Sequence, residues 1–578
     1  MSFDFVIRFG KDEGRTTENG RFHLLKPPQP TQQHPCHWDL AYADSDHFTL
    51  VGRGVVWNWL SQTASSAGIG QADFWHHFQQ SFVADGLDFI AQLEGQFCFV
   101  LFDKLRQKLY AIRDQSGTYP LYYTNTPDGF VVGSQLSDLR PFLPSMVLSL
   151  TGAACFFRLG YVLAPQTLLE GVFKLLPIEA VVCDENGRLT HKRYWQQPSY
   201  QPQPKPEATF LAETRQHIRD VVAKNIGGSG QLGLFLSGGI DSSLLLALLD
   251  DQFQQHPYTY TFGLTIDYKR ANYLRDLPYA REIAASLDVP YHEILIGHDF
   301  PVAKLLREVV PQFDSLLVTP NTLTKYWLAK LGAAHGVKTM LTGSASTAGF
   351  YAFAPSSFRK VNFASDHLFH EMTERFRKPI LTPAEISGLL PSLGSLPATL
   401  LHDALLPYWA NVPNDDPIYQ FENGLLLSTI AEKVMPVHID LERLTGVAFK
   451  LPLADNSLWQ FKATVPRHLT AGNADYTDKF LLKEAFKELV PVSICQRDSG
   501  VGFPSYYWFQ GELDRLHKVL FSPDVLRLVP EVETAVLHQI VAAEKQSTRK
   551  SKGKRTWALT VFLLWYLHFI EGESLTSL

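Results

Sequence analysis

Seven consecutive residues, Ser237-Gly238-Gly239-Ile240-Asp241-Ser242-Ser243, concentrate small and polar side chains in one short turn. Two glycines let the backbone approach an oxyanion closely, and the three serines offer hydroxyl donors. Asp241 would repel a bare phosphate, so the set implies a phosphate accompanied by Mg²⁺, which reverses the local sign. No Gly-Lys-Ser/Thr follows the glycines, so the turn is not of the Walker type. Such residues act only if the chain holds them. Leu232–Leu236 is a short apolar run that suits a buried strand, and Ser242–Asp250 has the leucine density of a packed helix. A strand, a glycine turn and a helix make an anion site, because the first helical N–H groups lack partners and point at the turn. Leu236, Ser237, Gly238, Gly239, Asp241, Ser242 and Ser243 are the expected binding residues, with Asp241 as the metal ligand.

The rest of the chain must build around that turn. At 578 residues it is too long for one core, and two to four domains are expected. A composition of 45% hydrophobic and 19% charged residues is that of a soluble globular protein. The net charge of −6 gives no global electrostatic case for nucleic acid or an anionic membrane. Five cysteines without CxxC spacing argue against a zinc site and a disulfide framework, and fit a reducing cytoplasm. The opening residues MSFDFVIRFGKDEG show no basic segment followed by an apolar run, so they are not expected to act as a secretion signal. The apolar run Thr556–Ile570 is shorter than the roughly 20 residues of a membrane span and is expected to be a buried terminal helix. The basic stretch Arg549–Arg555 before it is expected to be a solvated loop, not a nucleic-acid patch.

Residues 1–200 read mostly as strands, including Gly95–Phe102, Leu109–Arg113 and Phe130–Gly133, in a layered α/β sandwich. The proline- and glutamine-rich stretch 196–206 marks the expected boundary between a domain over 1–200 and one over 201–578. In the second, Glu207–Asn225 has helical apolar spacing, Tyr258–Leu264 is a strand candidate, and Gly336–Gly343 is expected to be a strand ending in a glycine turn.

Ser237–Ser243 resembles the pyrophosphate-binding loop of the N-type ATP pyrophosphatases. In that family's description these enzymes cleave ATP to AMP and pyrophosphate and activate a carboxylate as an adenylate. A wider resemblance, to class B asparagine synthetases, runs from about residue 90 to the end. Leu93–Phe97, Phe102-Asp103 and Arg113–Tyr123 resemble the glutaminase domain, and Arg193-Tyr194-Trp195 the segment that closes it. Asp276–Ala285, Thr445–Asp455 and Tyr476–Ala485 with Val490–Phe503 resemble landmarks of the synthetase domain, in order. The resemblance implies an N-terminal-nucleophile type sandwich followed by a doubly wound parallel sheet. It implies ATP and Mg²⁺ as ligands, with Phe262 on the strand that holds the adenine and Gly343 at the second turn. It also implies catalytic roles for Arg281, Lys450 and Arg497.

Five features depart from the family. Met1-Ser2-Phe3 lacks the cysteine that follows Met in active glutaminases, and no Arg-Gly-Pro-Asp or Asn-Gly-Glu segment precedes residue 90. The turn after Gly343 runs Ser344–Phe350 without the family's Mg²⁺-binding carboxylate. Ala448 stands where the family has Glu, and the family's lysine is replaced near Asp498 or Ser499. Residues 1–200 are therefore expected to be a scaffold that does not hydrolyse glutamine. The resemblance points to an AMP-forming ligase that joins a small-molecule or peptide carboxylate to an amine, as in lasso-peptide or β-lactam cyclases, with natural-product biosynthesis as the setting. Two alternatives stand beside it: a nucleotide-binding scaffold that has lost catalysis, and an asparagine synthetase that uses free ammonia. A homodimer is compatible with either, and no nucleic-acid or membrane partner is expected. A loop-rich insertion over Tyr351–Pro391 is a candidate lining for a peptide site.

Overall fold

The computed structural model describes residues 6–9, 22–26, 38–39, 42–57, 71–227, 230–265, 267–268, 271–272, 276–345, 379–394, 399–413, 416–471, 479–497, 508–509, 512–547 and 553–575. The chain forms two compact units. One comprises Met1–Gly152, Val162–Tyr200 and Ala404–Pro436; the other comprises Ala153–Tyr161, Gln201–Asp403 and Val437–Leu578. A late helical segment thus groups with the N-terminal unit, far beyond the connector.

The first unit is built on antiparallel sheets of seven and five strands. In the larger, β1 (Phe48–Val56), β2 (Gly95–Asp103), β3 (Lys108–Arg113) and β4 (Glu179–Cys183) are consecutive neighbours. Side chains alternate across a strand, and β2 shows what that does here. Phe97, Phe99 and Leu101 pack with Phe78 and Phe82 of the helix Gln71–Asp85. Cys98, Val100 and Phe102 pack with Phe130 and Val132 of the smaller sheet. A strand buried on both faces must be apolar throughout, which is why GQFCFVLF has no polar alternation. The layers are helix, sheet and sheet, as the sandwich expectation required. Ser2 and Cys36 lie outside the described residues. Among the described residues Cys98, Cys155, Cys183 and Cys495 form no disulfide.

The second unit holds a five-stranded sheet of β5 (Leu232–Phe235), β6 (Tyr258–Leu264), β7 (Tyr291–Ile296), β8 (Thr339–Thr342) and β9 (Ala448–Lys450). The order is β7-β6-β5-β8-β9, with every pairing parallel. Helices α1 (Glu207–Ile226), α2 (Ile240–Phe253), α3 (Leu277–Ser286), α4 (Pro320–Ala334), α5 (Met435–Thr445) and α6 (Lys554–Phe569) accompany it. Leu244–Leu249 of α2 are all buried, so this helix can be apolar all round. The chain builds outward from β5 through β6 to β7, then crosses back to place β8 on the other side of β5. That reversal opens a crevice beyond the carboxyl ends of β5 and β8, where ligands of doubly wound sheets bind.

Two expectations need adjustment. Helix α6 is buried from Thr556 to Leu567 and begins at Lys554, so Lys554 and Arg555 open a helix instead of a loop. No helix among the described residues is long and apolar enough to cross a membrane. In the insertion over Tyr351–Pro391, residues 351–378 lie outside the described residues, and the rest contains the helix Pro383–Leu389. The signal for it is local. Thr382 accepts from the Glu385 N–H while Glu385 accepts from the Thr382 N–H at 2.9 Å, a capping box with proline at the first helical position.

Candidate active site

The turn after β5 is held by its own backbone. Leu236 N–H donates to the Tyr260 carbonyl at 2.9 Å, extending the strand pairing by one residue. Gly238 has φ +67°, and a Cβ there would stand 2.7 Å from Ala280 N and 2.8 Å from Asp276 O. Only glycine meets both demands. Gly238→Ala is therefore expected to lower stability by about 1–3 kcal/mol and to abolish ligand binding. Thermal melts and a nucleotide titration of the same protein read both effects.

Serine hydroxyls fix the turn across its width. Ser237 N–H donates to Ser242 Oγ at 3.1 Å, the two hydroxyls lie 3.1 Å apart, and Gly239 N–H donates to Ser237 Oγ at 3.3 Å. Gly239 is the N-cap of α2, no side chain caps this end, and the helical ladder opens with Ser243 N–H donating to Gly239 O at 3.0 Å. The start of α2 is thus an uncapped anion site facing the turn.

Asp241 sits in the first turn of α2. Its Oδ2 accepts from Lys479 Nζ at 2.5 Å, whereas Oδ1 is buried without a hydrogen-bond partner. Gly343, just past β8, lies so close that a Cβ there would stand 2.8 Å from Asp241 Cβ and 2.9 Å from Ser242 N. The ends of β5 and β8 therefore converge on one carboxylate. Beside it is a cavity of about 460 Å³ lined in part by Leu236, Ser237, Asp241, Ser242, Phe262 and Gly343. An orphaned carboxylate oxygen beside that cavity suits Mg²⁺, which takes one or two carboxylates and completes its shell from phosphates and water. Among the described residues no group of three or more His, Cys, Asp or Glu could hold a metal ion, so Asp241 would be its side-chain ligand.

Arg497 clamps the turn from outside. It donates to the Gly238 carbonyl at 2.6 Å and to Asp276 Oδ1 at 2.7 Å, and its guanidinium lies 4.9 Å over the Tyr279 ring. Three other expected residues are not brought to the cavity. Ser243 is fully buried and its Oγ has no hydrogen-bond partner, because successive helical residues turn by about 100° and only Ser242 faces the turn. Arg281 is exposed on α3 and makes a forked pair with Glu293 at 2.6 and 2.8 Å. Lys450 lies on the edge strand β9 and does not line the cavity.

The cavity also has residues that local patterns do not reveal. Tyr260, Asp276, Lys325 and Ser344 line it. Lys479, at the start of the helix Phe480–Ala485, is largely buried against Asp241. Lys325 reaches the cavity from α4, with Nζ 3.4 Å from Ser344 Oγ and 3.2 Å from His438 Nε2 on α5. Burial lowers its pKa to about 8. Ser346–Gly349, Asp498-Ser499 and Gly502–Pro504 lie outside the described residues.

A family model described as asparagine synthase matches residues 213–567, and one described as a glutamine amidotransferase domain matches 76–195. The chain is 21% identical to "Asparagine synthetase [glutamine-hydrolyzing] 1" of Bacillus subtilis (strain 168), over 92% of this chain and 87% of that one. It is 22% identical to "Amidase chyE" of Penicillium rubens, over 80% of this chain and 77% of that one. Among solved structures it is similar to an NH3-dependent NAD synthetase from Campylobacter jejuni, with 14% identity and a TM-score of 0.18, covering 36% of this chain and 95% of that one.

Proposed function

The chain belongs to the asparagine synthase family, and from that premise we propose that it joins a carboxylate to an amine with ATP as the energy source. One observation carries the reading: a single carboxylate, Asp241, with a buried unpartnered oxygen, at the start of α2 where β5 and β8 both end. In the proposed reaction a substrate carboxylate oxygen attacks the α-phosphorus of ATP, the α–β bridging bond breaks, and pyrophosphate leaves. The amine nitrogen then attacks the acyl-adenylate carbonyl and AMP leaves with the bonding electrons, the amine proton passing to solvent or base.

This chain's residues account for the binding and orienting part of that sequence. The uncapped N–H groups at the start of α2 and the hydroxyls of Ser237 and Ser242 receive phosphate oxygens. Arg497 holds the Gly238 carbonyl, and with it the turn's shape. Phe262 and Tyr260 supply the apolar and aromatic wall expected of an adenine subsite. Mg²⁺, held by Asp241, would offset phosphate charge and orient the triphosphate when bound.

The finer reading is that the amine is not drawn from glutamine. It rests on sequence: no Arg-Gly-Pro-Asp or Asn-Gly-Glu segment occurs before residue 90. Ala448, where the family has Glu, supports an amine that arrives neutral or a base supplied elsewhere. The substrates in this reading are a small molecule or a peptide, as in a lasso-peptide or β-lactam type cyclase. ATP–pyrophosphate exchange with a panel of acids and peptides tests it, with glutamine, ammonia and amines compared in the second half-reaction. We expect acid-dependent exchange and no stimulation by glutamine. Product formation that requires glutamine would refute the finer reading, and absence of exchange with every acid would favour the non-catalytic scaffold.

A further inference from the structure

Lys325 is one of the cavity residues that neither the turn motif nor the helix pattern announces. Its position is unusual for a lysine. Nζ lies at the cavity wall between a hydroxyl, Ser344 Oγ at 3.4 Å, and an imidazole, His438 Nε2 at 3.2 Å. Among the described residues no carboxylate pairs with it. The cavity's own carboxylates are engaged elsewhere: Asp241 takes Lys479, and Asp276 takes Arg497. On α5, Asp440 pairs with Arg443, and Glu442 accepts from the Phe449 N–H, so His438 is the titratable group that α5 turns to Lys325. On the far side of α4, Glu308 is bound by Tyr326 and Lys330.

A largely desolvated ammonium without a counter-charge is costly, and an anion entering the cavity would remove that cost. The place is suggestive in another respect. Lys325 stands over the Gly343–Ser344 turn, and the sequence Ser344–Phe350 contains no acidic residue that could hold a second divalent cation. We propose that Lys325 is a phosphate-binding residue of the cavity, its ammonium taking a phosphate oxygen of the bound nucleotide at the Gly343–Ser344 turn. A fixed ammonium at that point supplies the positive charge that the turn cannot recruit through a metal. This inference rests on the nucleotide reading of the cavity given above.

The lowered pKa makes the idea measurable, because an anion beside Lys325 raises its pKa and draws a proton from solvent near pH 8. MgATP is titrated into the full-length protein by calorimetry at pH 8, in two buffers of different ionisation enthalpy. Binding to the wild type should take up a fraction of a proton. Lys325→Met should bind about tenfold more weakly or worse, without that uptake, and with a melting temperature equal to or above wild type, since a half-buried charge that no carboxylate pairs with among the described residues has been removed. Lys325→Arg should keep most of the affinity yet lose the uptake, because guanidinium stays charged throughout. His438 is intact in both variants, so the difference isolates Lys325. Equal affinity and equal uptake in all three proteins overturns the role of Lys325 and leaves the nucleotide reading standing. No binding of MgATP to the wild type overturns the nucleotide reading itself.

Discussion

Asp241→Asn is expected to lower ATP–pyrophosphate exchange by about 10²-fold or more, the scale of removing one fixed electrostatic group from a reacting centre. The fold should scarcely notice. Asp241 is partly exposed at the start of α2, and its contact with Lys479 is made by an oxygen that the Asn amide can mimic as an acceptor. What the amide cannot mimic is the charge. The wild-type carboxylate gives one oxygen to Lys479 and leaves the other without a partner, so it can hold Lys479 and a divalent ion together. The expected signature is thus a loss of Mg²⁺-dependent nucleotide affinity with a melting temperature within a few degrees of wild type. A Mg²⁺ titration of nucleotide binding beside a thermal melt measures both. Exchange within threefold of wild type would remove Asp241 from the chemistry. A collapse in melting temperature would make it a structural residue.

How far this centre could be read from sequence depends on whether its signals are local. Strand β6 spans Tyr258–Leu264 as its aromatic and β-branched run predicts, and β5 stops one residue short of the predicted Leu236. Helix α2 starts at Ile240, two residues earlier than its leucines suggest, because Gly239 serves as the cap. Apolar runs, glycines and capping residues act within one turn of chain, so they are legible. The positions of Arg281 and Lys450 are set by which helix face or sheet edge they occupy, and no short motif encodes that. Lys325 shows the same limit in reverse. On α4 it reads as one more surface lysine, and only the approach of Ser344 and of His438 on α5 makes it a cavity residue. Class membership, the central turn and Arg497 are therefore legible in the sequence, while the placement of Lys325, Arg281 and Lys450 is not.

The longest-range example gives the largest expected stability effect. Within the first unit, Arg113 and Glu432 are 319 residues apart in sequence and 3.0 Å apart in space, both fully buried. Arg113 also donates to the carbonyls of Leu175 and Gly117 at 2.7 Å and of Ala431 at 3.0 Å, while Lys174 pairs with the second Glu432 oxygen. The π-helical turn Ile430–Val434 presents the Ala431 carbonyl and the Glu432 carboxylate side by side. Glu432→Gln leaves two buried cations without a counter-charge, which typically costs about 3–5 kcal/mol. For a unit of this size that corresponds to a fall in melting temperature of roughly 10 °C. The sign of the pH dependence follows from the carboxyl. Burial alone would push it up, but Lys174 and Arg113 outweigh that and hold it below the ordinary glutamate value. Its contribution is therefore complete above the unfolded-state pKa and is lost as the pH falls through the lower folded-state value. The gap in melting temperature between wild type and Glu432→Gln should be full near neutrality and close in acid. A gap below about 2 °C at pH 7 would mean that the carbonyl cage alone satisfies Arg113, and that the ion pair adds no net stability.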